Sequence, residues 1–225
     1  MSKNKNPKEI PSGKVIIDTV NRISSKEIDK FFDEIVKTEK ESWPPELRAS
    51  KEKFISRLHT FEKGFFVARV DGRIKGITTS QIVNYPPNGE TWNEITDNGF
   101  IKNTHNPSGN ALYVVSIGVA RDVQGMGIGS LLLGAQKELT KEFGLNYLFL
   151  GARIPGYLKY CREHGEIPVE SYLVLKNDKN EPVDPEIRFY RRNGLEVAKI
   201  TSDFESDRES RDYGIVMLWE NKEVS

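Results

Sequence analysis

Three glycines alternate through Gln124-Gly125-Met126-Gly127-Ile128-Gly129, with Ser130 next. Glycines spaced this way offer main-chain N–H groups to a bulky anion, because no Cβ stands in its path. A helix opening there adds its unbonded first-turn amides and the positive end of its dipole. The chemistry such a turn suits is the holding of a pyrophosphate. Three nucleotide-loop readings compete. A P-loop ends in Gly-Lys-Ser/Thr, and Gly129-Ser130 lacks the lysine. A Rossmann loop reads G-x-G-x-x-G after the first strand of its domain, whereas this G-x-G-x-G lies deep in the chain. The third is Gln-x-x-Gly-x-Gly, met by Gln124, Gly127 and Gly129. A tight strand-to-helix connection with no ligand is the bland alternative, and it does not require three alternating glycines.

Such a loop needs a strand before it and a helix after it. Residues 112–119 are apolar at nearly every position, the pattern of a strand covered on both faces. Beyond the loop, Ile128, Leu131, Leu132, Ala135, Leu139 and Phe143 predict one buried helical stripe, and Gly144 a C-terminal cap. Residues 147–150 predict the next strand, so the unit reads as a right-handed crossover. Upstream, Val15-Ile16-Ile17 begins a strand, and Ser24 to Glu27 form a capping-box pattern. Ile28, Phe31, Phe32, Ile35 and Val36 predict a helix that ends before Trp43. A second helix is expected from Ser50, burying Phe54, Ile55 and Leu58. Residues 64–85 predict a hairpin turning at Asp71-Gly72. Residues 86–110 read as a long loop, 152–183 as an insertion, and 195–200 with 213–219 as a final antiparallel pair.

Composition narrows the partners. Lys+Arg and Asp+Glu are both 33, so the formal charge is zero and a nucleic-acid partner is not expected. Lys3, Lys5 and Lys8 read as a solvated tail; residues 1–13 are expected to be disordered and 14–225 to form one domain. A single cysteine, Cys161, allows no internal disulfide and no cysteine-rich zinc site, so no metal is expected and a reducing cytoplasm is inferred. No stretch approaches the ~20 apolar residues of a membrane helix, and the polar start lacks a signal core.

Val119, the run Arg121 to Ser130 and the helix after it resemble the GCN5-related N-acetyltransferase (GNAT) superfamily. A second match, Asp184 to Leu195, looks like the later helix of that family, with Tyr190 four residues before Gly194. The resemblance runs over roughly residues 15–220. It implies an α+β fold with a mixed, mostly antiparallel sheet, splayed strands 4 and 5, and helices on both faces. A narrower likeness rests on Trp92, Thr104-His105-Asn106-Pro107, Gly151 to Tyr157 and residues 213–219. These look like the acetyltransferase domain often joined to a nitrilase-type hydrolase, here expected as a free-standing version.

The resemblance implies an N-acetyltransferase that moves an acetyl group from acetyl-CoA to a primary amine of a small molecule or peptide. Attack is direct, so Cys161 is expected to be a packed thiol. The strand edge at Ile117, Gly118 and Val119 would pair with the pantetheine arm, and the Ile117 N–H would polarise the thioester carbonyl. Gln124, Gly125, Met126, Gly127, Ile128, Gly129 and Ser130 would hold the pyrophosphate. Tyr190 matches the family tyrosine that protonates the leaving thiolate. The carboxylate that some members carry six residues before Val119 is replaced by Tyr113, and residues 111–119 contain no acid. His105 and Glu94 are substitute bases, His105 equally a structural residue. Arg153 is a candidate for a cofactor phosphate or an acidic acceptor group, or for a salt bridge ordering the insertion. His59, His164, Tyr157 and Tyr160 read as packing or surface residues. The missing strand carboxylate keeps a second reading open: a non-catalytic acetyl-CoA-binding module partnering an amide-hydrolysing enzyme. The acceptor is not legible, and the oligomeric state is open, a homodimer included.

Overall fold

The computed structural model describes residues 15–19 and 27–224. Positions 24–26 of the expected capping box, and the expected disordered tail, lie outside them. The elements follow the hydrophobic spacing. Strand β1 is Ile16–Thr19, followed by helices α1 (Ile28–Ser42) and α2 (Lys51–Thr60). Ser50 caps α2, its side chain accepting the Lys53 N–H. Strands β2 (Phe66–Val70) and β3 (Arg73–Val83) form the hairpin, with Asp71 at φ 50° and Gly72 at φ 77°, as a type I′ turn demands. Then come α3 (Trp92–Thr96), β4 (Ala111–Val119), α4 (Ile128–Glu142) and β5 (Tyr147–Ala152). The insertion folds into α5 (Tyr157–His164) and α6 (Val169–Val174). Helix α7 (Pro185–Arg192), β6 (Glu196–Thr201) and β7 (Gly214–Glu220) complete the order. No helix among the described residues is long and apolar enough to cross a membrane.

Among the described residues the sheet has seven strands in the order β1-β2-β3-β4-β5-β7-β6. β4 and β5 are parallel; β1–β2, β2–β3, β5–β7 and β6–β7 are antiparallel. The β4–β5 ladder has three rungs and ends at Tyr113↔Phe149. β5 continues against β7 as far as Ala152↔Ile215, while β4 runs on to Val119. Helices flank this mixed sheet, as the resemblance implies.

The chain folds as two compact units. The first holds the described residues up to Ser80 together with Ser116–Leu139; the second holds Gln81–Val115 and everything from Thr140. In the first, Phe31, Phe32, Ile35, Phe54, Leu58 and Phe65 build the core between α1, α2 and the hairpin. Edge-to-face rings at Phe31–Phe32 and Phe54–Phe65 fill it. Helix α4 seats on β3 where a Cβ on Gly76 would come within 2.9 Å of both Ile128 and Leu132. In the second unit, Tyr85, Tyr113, Tyr147 and Phe149 stack around the last rungs of the ladder.

Two expectations need correction. The buried face of α4 keeps Ile128, Leu132 and Leu139 of the predicted stripe but runs through Gln136 and Thr140, both fully buried, while Leu131 is 48% exposed and Phe143 36%. Gln136 earns that place by hydrogen bonding, its Nε2 donating to Gly64 O at 3.0 Å and to Thr78 Oγ1 at 3.3 Å. The long loop 86–110 also contains α3, opened by a complete Thr91/Glu94 capping box. Gly144 does cap α4, at φ 61°, with Leu145 N–H bonded to Thr140 O.

Candidate functional site

In the first unit the glycine loop alternates between anchored and bare positions. Val123, Met126 and Ile128 turn their side chains into the core, while Gly125 and Gly127 face solvent. Both glycines stand at φ 82°, and a Cβ added to either would meet no protein atom within 4 Å. The Gln124 side chain donates to Val119 O at 2.9 Å, tying the loop back to the end of β4. The first main-chain bond of α4 is Leu131 N–H to Gly127 O, so the amides of Ile128, Gly129 and Ser130 precede the helical ladder. Bare positions backed by first-turn amides are what a pyrophosphate requires. The residues present therefore fit the diphosphate of CoA.

The end of β4 adds a second feature. A Cβ on Gly118 would lie 2.9 Å from Trp43 Nε1 and 3.1 Å from Ser42 Cβ, so only glycine lets α1 close on the strand here. The Trp43 indole N–H is buried with no hydrogen-bond partner among the described residues. It is a spare donor beside the strand segment that includes Ile117 and Val119, both half-buried. Behind that segment lies a residue the sequence did not reveal. Arg57 of α2 is 1% exposed, and its guanidinium reaches Thr79 Oγ1 at 3.2 Å and Ser116 Oγ at 3.1 Å.

In the second unit, Asp184 caps α7, its carboxylate accepting the Glu186 and Ile187 amides. The helix buries Tyr190, and burial, with Glu186 and Tyr113 nearby, holds its phenol well above the usual tyrosine value. Tyr190 therefore keeps its proton at neutral pH. Glu186, one turn earlier, went unnoticed in the sequence; burial pushes its carboxyl up to about 8 against the pull of Arg153.

Arg153 is engaged elsewhere than the expected phosphate. It grips Asp207 through Nε (2.7 Å) and a terminal nitrogen (2.9 Å), reaches Glu209 at 2.9 Å, and sits 3.7 Å from Glu186. Its planar donors thus hold the β6–β7 loop to the end of β5. Ser210 completes that anchor, donating to Asp207 and accepting the Ile154 N–H at 2.9 Å.

The two substitute bases are also engaged. Glu94 belongs to the capping box and accepts from the Glu90 and Thr91 amides and the Thr91 hydroxyl; the Thr91 amide leads in holding its carboxyl low. His105 Nδ1 accepts the Ile82 N–H at 3.1 Å, so the neutral ring carries its proton on Nε2 and has no lone pair left for an amine. Burial lowers its pKa. A depressed histidine contributes stability above its unfolded value near 6.5 and loses it as pH falls through the lower folded value. Urea unfolding at pH 7 and pH 5 is expected to show a loss of about 1 kcal/mol in the wild type that His105→Gln does not share, the worth of one hydrogen bond.

The remaining expectations are structural. Tyr157 and Cys161 are buried in α5, and Tyr157 lies against Tyr172 with ring centroids 5.1 Å apart. Tyr160 stacks on His164, and His59 and His164 are exposed. No group of three or more His, Cys, Asp or Glu able to hold a metal occurs among the described residues.

Residues 28–157 match the Acetyltransferase (GNAT) family. The "Uncharacterized N-acetyltransferase YkwB" of Bacillus subtilis (strain 168) is 37% identical over 198 residues, 84% of each chain. The "Probable hydrolase YhcX" of the same organism is 32% identical over 205 residues, 90% of this chain but only 38% of that longer protein. Among solved structures, the GphF GNAT-like decarboxylase in complex with isobutyryl-CoA superposes with a TM-score of 0.71 over 91% of this chain and 98% of that one, at 22% identity. By fold, by its matched segment and by these relatives, the chain belongs to the GNAT acetyltransferase family.

Proposed function

We propose that this protein transfers an acetyl group from acetyl-CoA to a primary amine by direct attack. The observation that carries the reading is the cradle at 124–130: two bare glycines at φ 82°, fixed by buried Met126 and Ile128 and backed by the free first turn of α4. In this reading those amides hold the pyrophosphate, and the β4 edge from Ile117 to Val119 takes the pantetheine arm. The Ile117 N–H polarises the thioester carbonyl. Tyr190 gives its proton to the leaving thiolate, and burial keeps it in the protonated form that the step needs. Support for CoA comes also from the isobutyryl-CoA bound by the GphF relative.

The test is CoA release from acetyl-CoA across a panel of small and peptide amines. A carboxylated acyl-CoA belongs in the panel, because a decarboxylase shares this fold. Release with an amine supports the reading; tight CoA binding with no release from any amine would replace it by the binding module. Tyr190→Phe is expected to lower kcat about 100-fold while leaving CoA affinity within twofold. Stopped-flow turnover and calorimetry separate the two quantities.

A further inference from the structure

A groove of about 470 Å³ opens in the second unit between α5 and the loop that joins β6 to β7. Pro155, Leu158, Lys159, Arg162 and Glu163 line one wall, and Arg208 and Glu209 the other. Residues 158, 159, 162 and 163 share one helix face, because they recur a turn apart. Tyr157 and Cys161, on the adjoining face, are buried and seat that helix. Three links hold the loop to this wall. Arg153 grips Asp207, the Ile154 N–H donates to Ser210 Oγ at 2.9 Å, and the Leu158 N–H donates to Glu209 O at 3.1 Å. The loop also closes on itself. The Asp207 N–H donates to Asp212 Oδ1 at 2.8 Å, and the Asp212 N–H to Asp207 O at 3.0 Å. Arg208 therefore stands on a frame set before any ligand arrives, which lowers the ordering cost of binding.

Charge decides what fits. Arg153 is matched by Asp207 and Glu209, and Arg211 by Glu166. Lys159 lies 3.9 Å from Glu163, and the Glu209 carboxylate is turned to Arg153 at 2.9 Å. Arg162 and Arg208 are exposed, and neither guanidinium has an ion-pair or hydrogen-bond partner among the described residues. Their planar donors suit an oxyanion with two or more oxygens. Two unmatched positive charges fit a phosphate monoester, about −1.5 to −2 at neutral pH, better than a single carboxylate. Leu158 and Pro155 offer apolar surface to an organic body, and the volume falls within the ~300–1,000 Å³ of small-molecule sites. We infer that this groove binds the phosphate monoester of a small organic molecule between Arg162 and Arg208. The site is one of recognition, and it does not rest on the acetyl-transfer reading.

The probe is phenyl phosphate, titrated into the full chain by calorimetry with and without saturating CoA. Saturable one-to-one binding is expected in both. Benzoate, with the same ring and one charge, should bind about tenfold more weakly. Arg162→Gln and Arg208→Gln should each weaken phenyl phosphate binding about tenfold while CoA affinity stays level. Their melting temperatures should not move, because both side chains are exposed and unpaired. Glu163→Gln should tighten binding about twofold, since it removes a like charge from the groove. Equal affinity for benzoate would overturn the phosphate assignment. No binding, binding that saturating CoA abolishes, or binding that neither arginine substitution weakens would each overturn the site. A parallel fall of CoA affinity in the arginine variants would make the groove part of the cofactor site and overturn it too.

Discussion

Gly127→Leu is expected to raise the CoA dissociation constant at least about 100-fold, near 2.7 kcal/mol. The argument is spatial. The new side chain points into space that no protein atom approaches within 4 Å, so it clashes with the ligand and not with the fold. Charge-assisted bonds from main-chain amides to phosphate contribute about 1.5–3 kcal/mol each, and a displaced diphosphate loses more than one. A leucine at positive φ also strains the backbone by about 1–2 kcal/mol. Gly72→Leu provides the control. Gly72 has nearly the same φ, 77° against 82°, and equally open surroundings, but it sits in the β2–β3 turn. Both variants should melt a few degrees lower, and only the first should lose CoA. Equal CoA affinity in the two, read by calorimetry, would remove the cradle from the site.

The second large effect concerns Arg153. Replacing it by methionine leaves Asp207, 2% exposed, without its guanidinium partner. Burial alone would raise the Asp207 pKa, yet Arg153 and Ser210 hold it below the ordinary carboxylate range. Breaking one side of such a pair costs about 3–5 kcal/mol. Arg153→Met should therefore destabilise the protein by that amount in urea unfolding, with CoA affinity little changed at temperatures where the chain stays folded. The double variant Arg153→Met/Asp207→Leu should recover much of the loss, because no buried charge is then left unpaired. A role at a cofactor phosphate predicts the opposite: weaker CoA binding at constant stability.

Legibility in the sequence followed the range of the interactions. The hairpin turn, the Ser50 cap, the Gly144 cap and the glycine loop are local devices, and their residues announced them. The face of α4 was legible at Ile128, Leu132 and Leu139 but not at its margins: Leu131 and Phe143 fit the helical period yet are exposed, while Gln136 is buried because Gly64 and Thr78 accept its amide. Those partners lie far away in the chain, where no spacing rule reaches. The same reason hid Arg57, whose partners Thr79 and Ser116 come from two strands. It also left Arg153 open between a phosphate and a salt bridge, since Asp207 and Glu209 follow more than fifty residues later. His105 was legible as either base or brace, and only the Ile82 amide on its Nδ1 separates the two.

The shielded thiol of α5 has a practical corollary. Cys161 is the single cysteine of the chain and is 4% exposed. An aromatic disulfide dye added to a reaction will therefore colour with liberated coenzyme and leave the folded polypeptide untouched. Without an acyl donor, a slow rise to one equivalent per chain would time the spontaneous opening of that helix from its neighbours.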